Sequence, residues 1–309
     1  MSNLEIQFAW SESRVKTLRE CARKYYLNYF LSWEGWLKNS TEQQKQAYRL
    51  KNLTTFPMFV GTVVHNVIEC AIKEFRTNNK WPSLNTSKEK VIEALRNGWI
   101  ESTNKEWKTN AKKINFFEHY YNEPPTKQKL QEYKEKSIRC IEAFYKCYIF
   151  DIMSKLDKND WIEAEEFQKF SMKTGEEVSV KLDCAFKHDG KVYIIDWKTG
   201  KPNKDIVDQV VTYSMYALKR GWIKGVKDLI IIPVFLGFFN DDPVGSLPII
   251  EITKSHIEKQ VKIIQSEYPM LTEAHKNRDN IDFFEKRQDT KKCNWCQFKE
   301  ICHPKGVRQ

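Results

Sequence analysis

Apolar and polar residues alternate along much of the second half of the chain and recur at helical spacing elsewhere. Alternation rich in β-branched and aromatic residues predicts strands over about 162–171, 177–187, 191–198, 228–238 and 247–252. Ser11 or Ser13 is positioned to cap a helix running to about Leu31, and a helical patch covers about 43–50. Gly61 opens a periodic helix to about Phe75, with Val64, Val67, Ile68, Ala71, Ile72 and Phe75 along one stripe. Residues 80–158 read as helices broken at Asn122-Glu-Pro-Pro. Further helices are expected over about 204–220 and from about Lys254 onward.

The most informative pattern is a hairpin. Asp189-Gly190 between two alternating runs predicts a two-residue turn. Positions equidistant from that turn then face each other. Phe186 meets Tyr193, Cys184 meets Ile195 and Leu182 meets Trp197 on an apolar face. Asp183 meets Asp196 and Lys181 meets Lys198 on the opposite face. Carboxylates so placed stand roughly 5 Å apart at Cβ and repel. A divalent cation relieves the repulsion, and hard oxygen ligands suit magnesium or manganese. Lys198, two residues after Asp196, points to the same face, where it can hold a water or stabilise charge on a phosphate. A solvated face with ordinary Lys/Asp pairing accounts equally well for the hairpin alone. Gln209 and Tyr213 share a helix face, with Tyr216 joining them one turn later. His65 lies at the edge of its apolar stripe with Glu69 one turn on, a setting that also suits a core histidine.

Composition narrows the class. With 41% hydrophobic and 13% aromatic residues, the chain of 309 has material for a core, which excludes a mainly disordered protein. No run approaches the roughly 20 apolar residues of a membrane span. The N-terminal residues lack the basic start and apolar core of a signal peptide, so a cytoplasmic location is expected. Gly200-Lys201 lacks the flanking residues of a phosphate loop, which argues against an ATP-driven motor. The net charge of +10 is concentrated: residues 13–51 hold nine basic and three acidic residues, and 291–309 hold five and one. A surplus confined to two segments points to a polyanion partner, most often nucleic acid, although solubility alone would also account for it.

The eight cysteines divide in two. Cys70, Cys140, Cys147 and Cys184 are isolated in apolar surroundings and are expected in the core. Cys293-x2-Cys296-x5-Cys302, beside Lys291, Lys292 and His303, has the density of a metal or cluster site. Cys21, in the other basic segment, is the candidate fourth ligand. Phe116, Phe117, Tyr120 and Tyr121 form an aromatic knot suited either to helix core or to stacking on unpaired bases.

Taken in order, His65, Asp183, Asp196-Trp-Lys198 and Gln209-Val-Val-Thr-Tyr213 resemble the RecB-like branch of the PD-(D/E)xK nucleases. The cysteine plan resembles its [4Fe–4S] members, the CRISPR-associated adaptation nucleases and the AddB nuclease domain. Cys21-Ala-Arg-Lys-Tyr-Tyr departs from the usual pattern by Ala22 in place of proline. The resemblance implies a mixed α/β fold, a central mixed sheet flanked by helices. It further implies one nuclease domain over 1–309, with a catalytic core at 159–253 and a helical insertion at 80–158. An iron–sulfur module of 11–58 and 291–309 would join the termini. Asp183, Asp196, His65 and the Trp197 carbonyl would hold Mg2+ or Mn2+; Lys198 would position the attacking water; Gln209 and Tyr213 would steady it. Glu165 and Glu166 are possible supporting groups. Cys21, Cys293, Cys296 and Cys302 would hold a [4Fe–4S] cluster, with zinc as the alternative. Arg19, Arg23, Lys24, Tyr120, Tyr121 and Lys292 would contact DNA. The implied function is a metal-dependent DNA exonuclease on single strands or ends, working with recombination, CRISPR adaptation or phage replication proteins; the alternative is a non-catalytic DNA-binding or assembly subunit.

Overall fold

The structure, a computed structural model, describes residues 8–164, 167–201, 206–238, 250–287 and 289–306. In chain order the N-terminal helices are α1 (Glu12–Glu20), α2 (Ala22–Tyr26) and α3 (Glu42–Lys51). A two-residue strand β1 (Leu53–Thr54) precedes the long helices α4 (Phe56–Asn78) and α5 (Leu84–Thr103). Then come β2 (Asn115–Phe116), α6 (Phe117–Tyr120), α7 (Lys127–Lys146) and α8 (Tyr148–Met153). The strands β3 (Trp161–Ala164), β4 (Phe167–Ser171), β5 (Glu177–Lys181), β6 (Cys184–His188) and β7 (Lys191–Lys198) follow. The chain continues with α9 (Ile206–Lys219), β8 (Leu229–Phe235), α10 (Lys254–Lys276) and α11 (Lys299–Cys302).

The main sheet has four strands in the order β3-β6-β7-β8. The β3/β6 and β6/β7 pairs are antiparallel and β7/β8 is parallel, so the sheet is mixed. The β6–β7 hairpin has the expected register: Phe186 faces Tyr193 and Cys184 faces Ile195. Asp189 (φ 48°) and Gly190 (φ 72°) both take the left-handed backbone of a tight primed turn.

Three expectations change at this point. The runs at 162–171 and 177–187 are not continuous strands. The first divides between β3 of the main sheet and β4 of a separate two-stranded sheet, β4–β5, and the second between β5 and β6, where the chain leaves the strand at Leu182-Asp183. Lys181 therefore pairs with Phe167 rather than facing Lys198. Leu182 joins the apolar cluster on the side of the sheet away from Trp197. Both sides of the sheet are covered, so the face that carries Asp196 and Lys198 looks onto α9 rather than onto solvent. Cys184, Phe186, Ile195 and Trp197 pack among residues of α4 and α7 such as Val64, Ile68 and Phe144. Ala185, Val192 and Ile194 pack beneath Val210, Tyr213 and Ala217 of α9.

The helices depart from expectation at their ends. Ser11 caps α1, but the first helix stops at Cys21, whose extended backbone (φ −166°, ψ 109°) separates α1 from α2. Helix α4 begins at Phe56, capped by Thr55 with Pro57 in its first turn, so Gly61 is internal. A Cβ at Gly61 would lie 3.2 Å from Thr199 Oγ1, so the helix runs close to the end of β7. Cys140, Cys147 and Cys184 are core residues, whereas Cys70 is exposed on α4. Glu165, Glu166, the start of the helix expected from 204 and residues 247–249 lie outside the described residues, and 250–252 form no strand. Among the described residues no helix is long and apolar enough to cross a membrane.

Candidate active site and four-cysteine cavity

The break at Leu182-Asp183 builds one half of the site. Beyond Cys184 the β6 ladder has ended, and the N–H of Trp197 has no strand partner on that side. Asp183 supplies one: its Oδ2 accepts from Trp197 N at 2.7 Å. The other oxygen, Oδ1, lies 3.5 Å from His65 Nδ1 on α4. Trp197 contributes through its backbone, while its indole is buried in edge contact with Phe144.

The other half is a closed polar ring between β7 and α9. Lys198 Nζ forms an ion pair with Asp196 Oδ2 at 2.7 Å and donates to Gln209 Oε1 at 3.0 Å. Gln209 Nε2 donates to the Tyr213 hydroxyl at 2.6 Å. That hydroxyl donates to Asp196 Oδ1 at 3.3 Å and closes the ring. The i, i+4 spacing of Gln209 and Tyr213 on one helix face is what lets both reach β7. Tyr216 does not join them; it is buried against Phe170 and Trp222. Glu69 pairs with Lys73 and takes no part.

Burial sets the electrostatics. Asp196 is 2% exposed, and desolvation, reinforced by the nearby Asp183 charge, pushes its carboxyl up to about 6 despite Lys198. Burial likewise raises the Tyr213 hydroxyl well above its usual value, so it remains a proton donor. Asp196 Oδ2 is buried against the Lys198 ammonium at 2.7 Å, and a carboxylate oxygen with one such partner keeps a lone pair for a cation. Among the described residues no group of three or more His, Cys, Asp or Glu stands ready as a metal cage. Even so, two buried carboxylates and a partly exposed imidazole are the donor chemistry a divalent cation requires.

The N- and C-terminal segments meet at a cavity that shares no lining residue with the ring. Cys21, Cys293, Cys296 and Cys302 line one cavity of about 250 Å³, with Arg23, Lys24 and Lys292 also in its wall. The break between α1 and α2 leaves the Cys21 thiol there, where it also accepts from Lys24 N at 3.4 Å and caps α2. Burial pushes Cys302 up to about 11, with Cys296 adding to the effect.

The expected DNA contacts have varied surroundings. Arg19 Nη1 pairs with the buried Glu267 at 2.7 Å, and Glu267 also accepts from Trp10 Nε1 at 2.8 Å. Arg23 Nε donates to the Phe284 carbonyl at 2.7 Å. Tyr120 donates to Glu300 Oε1 and Tyr121 to the Gln297 carbonyl, both at 2.9 Å. Lys299 lies over the Tyr121 ring at 3.9 Å.

Sequence reasoning missed a groove of about 560 Å³ beside the ring, where Ser11, Arg14, Lys16 and Lys181 meet Gln209 and Tyr213. Its walls come from α1, β5 and α9, and the basic surplus near the N-terminus was the one trace of it in the sequence.

One comparison identifies a family. The model of the PD-(D/E)XK nuclease superfamily matches residues 9–303. No curated protein and no solved structure matches.

Proposed function

From the premise that the chain belongs to the PD-(D/E)XK nuclease superfamily, and so to the metal-dependent nucleases, we propose that it is a DNA exonuclease acting on single strands or DNA ends. The observation that carries this reading is the ring Asp196–Lys198–Gln209–Tyr213 set beside Asp183 and His65. An assembly subunit without catalysis would have no physical need to bury two carboxylates together.

Asp183, Asp196 and His65 are the residues that would hold Mg2+ or Mn2+, with the Trp197 carbonyl available to complete the set. Such an ion would supply Lewis acidity for phosphodiester hydrolysis. Lys198 holds its ammonium over Asp196, oriented to steer the attacking water and to offset charge developing on phosphate oxygen. Gln209 fixes that ammonium from the other side. Tyr213 holds Gln209 and Asp196 together, so the ring keeps its shape before substrate arrives.

Cys21, Cys293, Cys296 and Cys302 would hold a [4Fe–4S] cluster. In support, four thiols share one cavity walled by cations, a setting that favours a thiolate-bound group of net negative charge. Four-thiolate zinc is the competing occupant. The cluster would close a loop of most of the chain and join the two basic segments. With it in place, Arg23, Lys24 and Lys292 would lie on one DNA-facing surface, with Tyr120 and Tyr121 next to it.

Degradation of linear and circular single-stranded DNA, labelled at the 5′ or 3′ end, tests the exonuclease reading. Loss of the linear strand alone, starting from one end, supports it. Equal attack on circles would replace it with an endonuclease.

A further inference from the structure

Two cavities away from the catalytic ring share a wall. One, of about 480 Å³, lies between α5 and α6 and includes Trp99, Lys105, His119 and Tyr120 in its lining. The other, of about 420 Å³, includes Trp36, Lys45, Tyr48, Arg49 and Lys112. Trp107 and Lys108 line both, so the two adjoin on either side of this pair and make up one indented region, the depression. Neither contains an acidic side chain in its lining, although Lys45 is paired with the exposed Glu42.

Two groups of aromatic rings line it. Trp36 is 42% exposed and meets Trp33 at 5.3 Å and Tyr48 at 5.5 Å between ring centroids. Across the depression, Trp107 meets Tyr120 at 5.4 Å, and Lys108 lies over the Trp107 ring. The backbone is shaped to present both tryptophans. A Cβ at Gly35 would come within 2.4 Å of the Gln44 carbonyl oxygen, so the turn carrying Trp36 sits directly on α3. Lys105 adopts left-handed backbone (φ 57°), which turns the chain out of α5 and brings Trp107 and Lys108 between the cavities.

Indole faces interleaved with cations and free of carboxylates match an unpaired polynucleotide strand: bases stack on the rings and phosphates pair with the lysines. A duplex keeps its bases stacked inside and cannot use the rings. We infer that this depression is a second, non-catalytic binding site for single-stranded nucleic acid, which holds the strand while its end is processed. The inference rests on the nuclease reading for its purpose, but not for its chemistry. Glu300 ties the site to the cysteine segment, since it accepts from both Tyr120 at 2.9 Å and Gln46 of α3 at 2.7 Å.

The test is fluorescence anisotropy with labelled oligothymidylate of about 20 nucleotides, beyond the roughly 4–16 spanned by one single-strand site. It is done on full-length protein carrying Lys198→Ala so that the probe survives. Adding Trp36→Ala and Trp107→Ala should weaken binding at least tenfold and leave binding of a blunt duplex unchanged. Adding Lys108→Ala and Lys112→Ala should lower the slope of log affinity against log salt by about 1.4, at about 0.7 per phosphate contact on a single strand. Should the tryptophan variant fail to fold, the exposed lysine pair still decides. Unchanged affinity and salt slope in folded variants would overturn the inference. So would equal losses for the strand and the duplex. Binding that depends on this depression, in a protein whose Lys198 form cleaves nothing, would leave the site standing and remove the nuclease reading instead.

Discussion

Asp183 accepts the Trp197 N–H at 2.7 Å where the β6 ladder has run out, so a carboxylate side chain takes the place of a strand. This bond ties the Asp183 bend to β7 one residue from Asp196. The two carboxylates are thus held together by backbone need as well as by any cation. The cost is desolvation, with like-charge repulsion added to it, and both raise the Asp196 carboxyl.

Asp183→Asn and Asp183→Ala should separate these two roles. The amide of Asn can still accept from Trp197 but is a poor cation ligand, so activity should fall about a hundredfold or more while the melting temperature holds or rises. Alanine leaves a buried N–H without a partner, which costs about 1–3 kcal/mol in addition to the lost activity. Thermal melts beside a nuclease assay check both. A fully active Asn variant would remove Asp183 from the site.

The metal-free protein should become more stable as pH falls through about 6. The folded Asp196 carboxyl titrates near 6, above its unfolded value of about 3.9, so the folded state binds more protons in that window. The destabilisation is present above pH 6 and relieved below it. Asp196→Asn should flatten the difference between melts at pH 5 and pH 7.5 in chelator, and saturating Mn2+ should stabilise the wild type most at the higher pH. A pH response identical in wild type and Asp196→Asn would contradict this.

Tyr213→Phe removes one hydroxyl from the ring and leaves the Lys198–Gln209 bond in place. The expected effect is a fall in kcat of about tenfold, equivalent to about 1.4 kcal/mol, with little change in KM. Steady-state kinetics on a short oligonucleotide measure it. A change in KM alone would mean that Tyr213 binds substrate rather than holding the ring.

Metal content of anaerobically purified protein should show iron and sulfide in equal amounts, with visible absorbance. Cys302→Ala should lose that absorbance and loosen the C-terminal segment, detectable as faster hydrogen exchange at Tyr120 and Tyr121. One zinc per chain with no colour would assign the cavity to zinc.

Part of this site was legible because short-range rules carry it. Asp189-Gly190 sets the register of β6 on β7, and the spacing of Gln209 and Tyr213 sets their common face. The direct opposition of Asp183 and Asp196 was not legible in its true form. Alternation runs unbroken from Val178 to Phe186, and only the pairing of β5 with β4 in another sheet shows where the chain must bend. Tyr216 was misread because both faces of α9 are buried, so helical phase alone does not separate site from core. The depression at Trp36 and Trp107 joins segments some 70 residues apart, and no local pattern marks such a meeting.

The central claim is metal-dependent phosphodiester hydrolysis at Asp183, Asp196 and Lys198. Its most direct test is cleavage of end-labelled single-stranded DNA by wild type and by Lys198→Ala, each with Mg2+, Mn2+ or chelator. The account predicts cleavage by wild type with either metal, none in chelator, and a loss of about a hundredfold or more in the variant. Equal cleavage by both proteins, or cleavage in chelator, would contradict it.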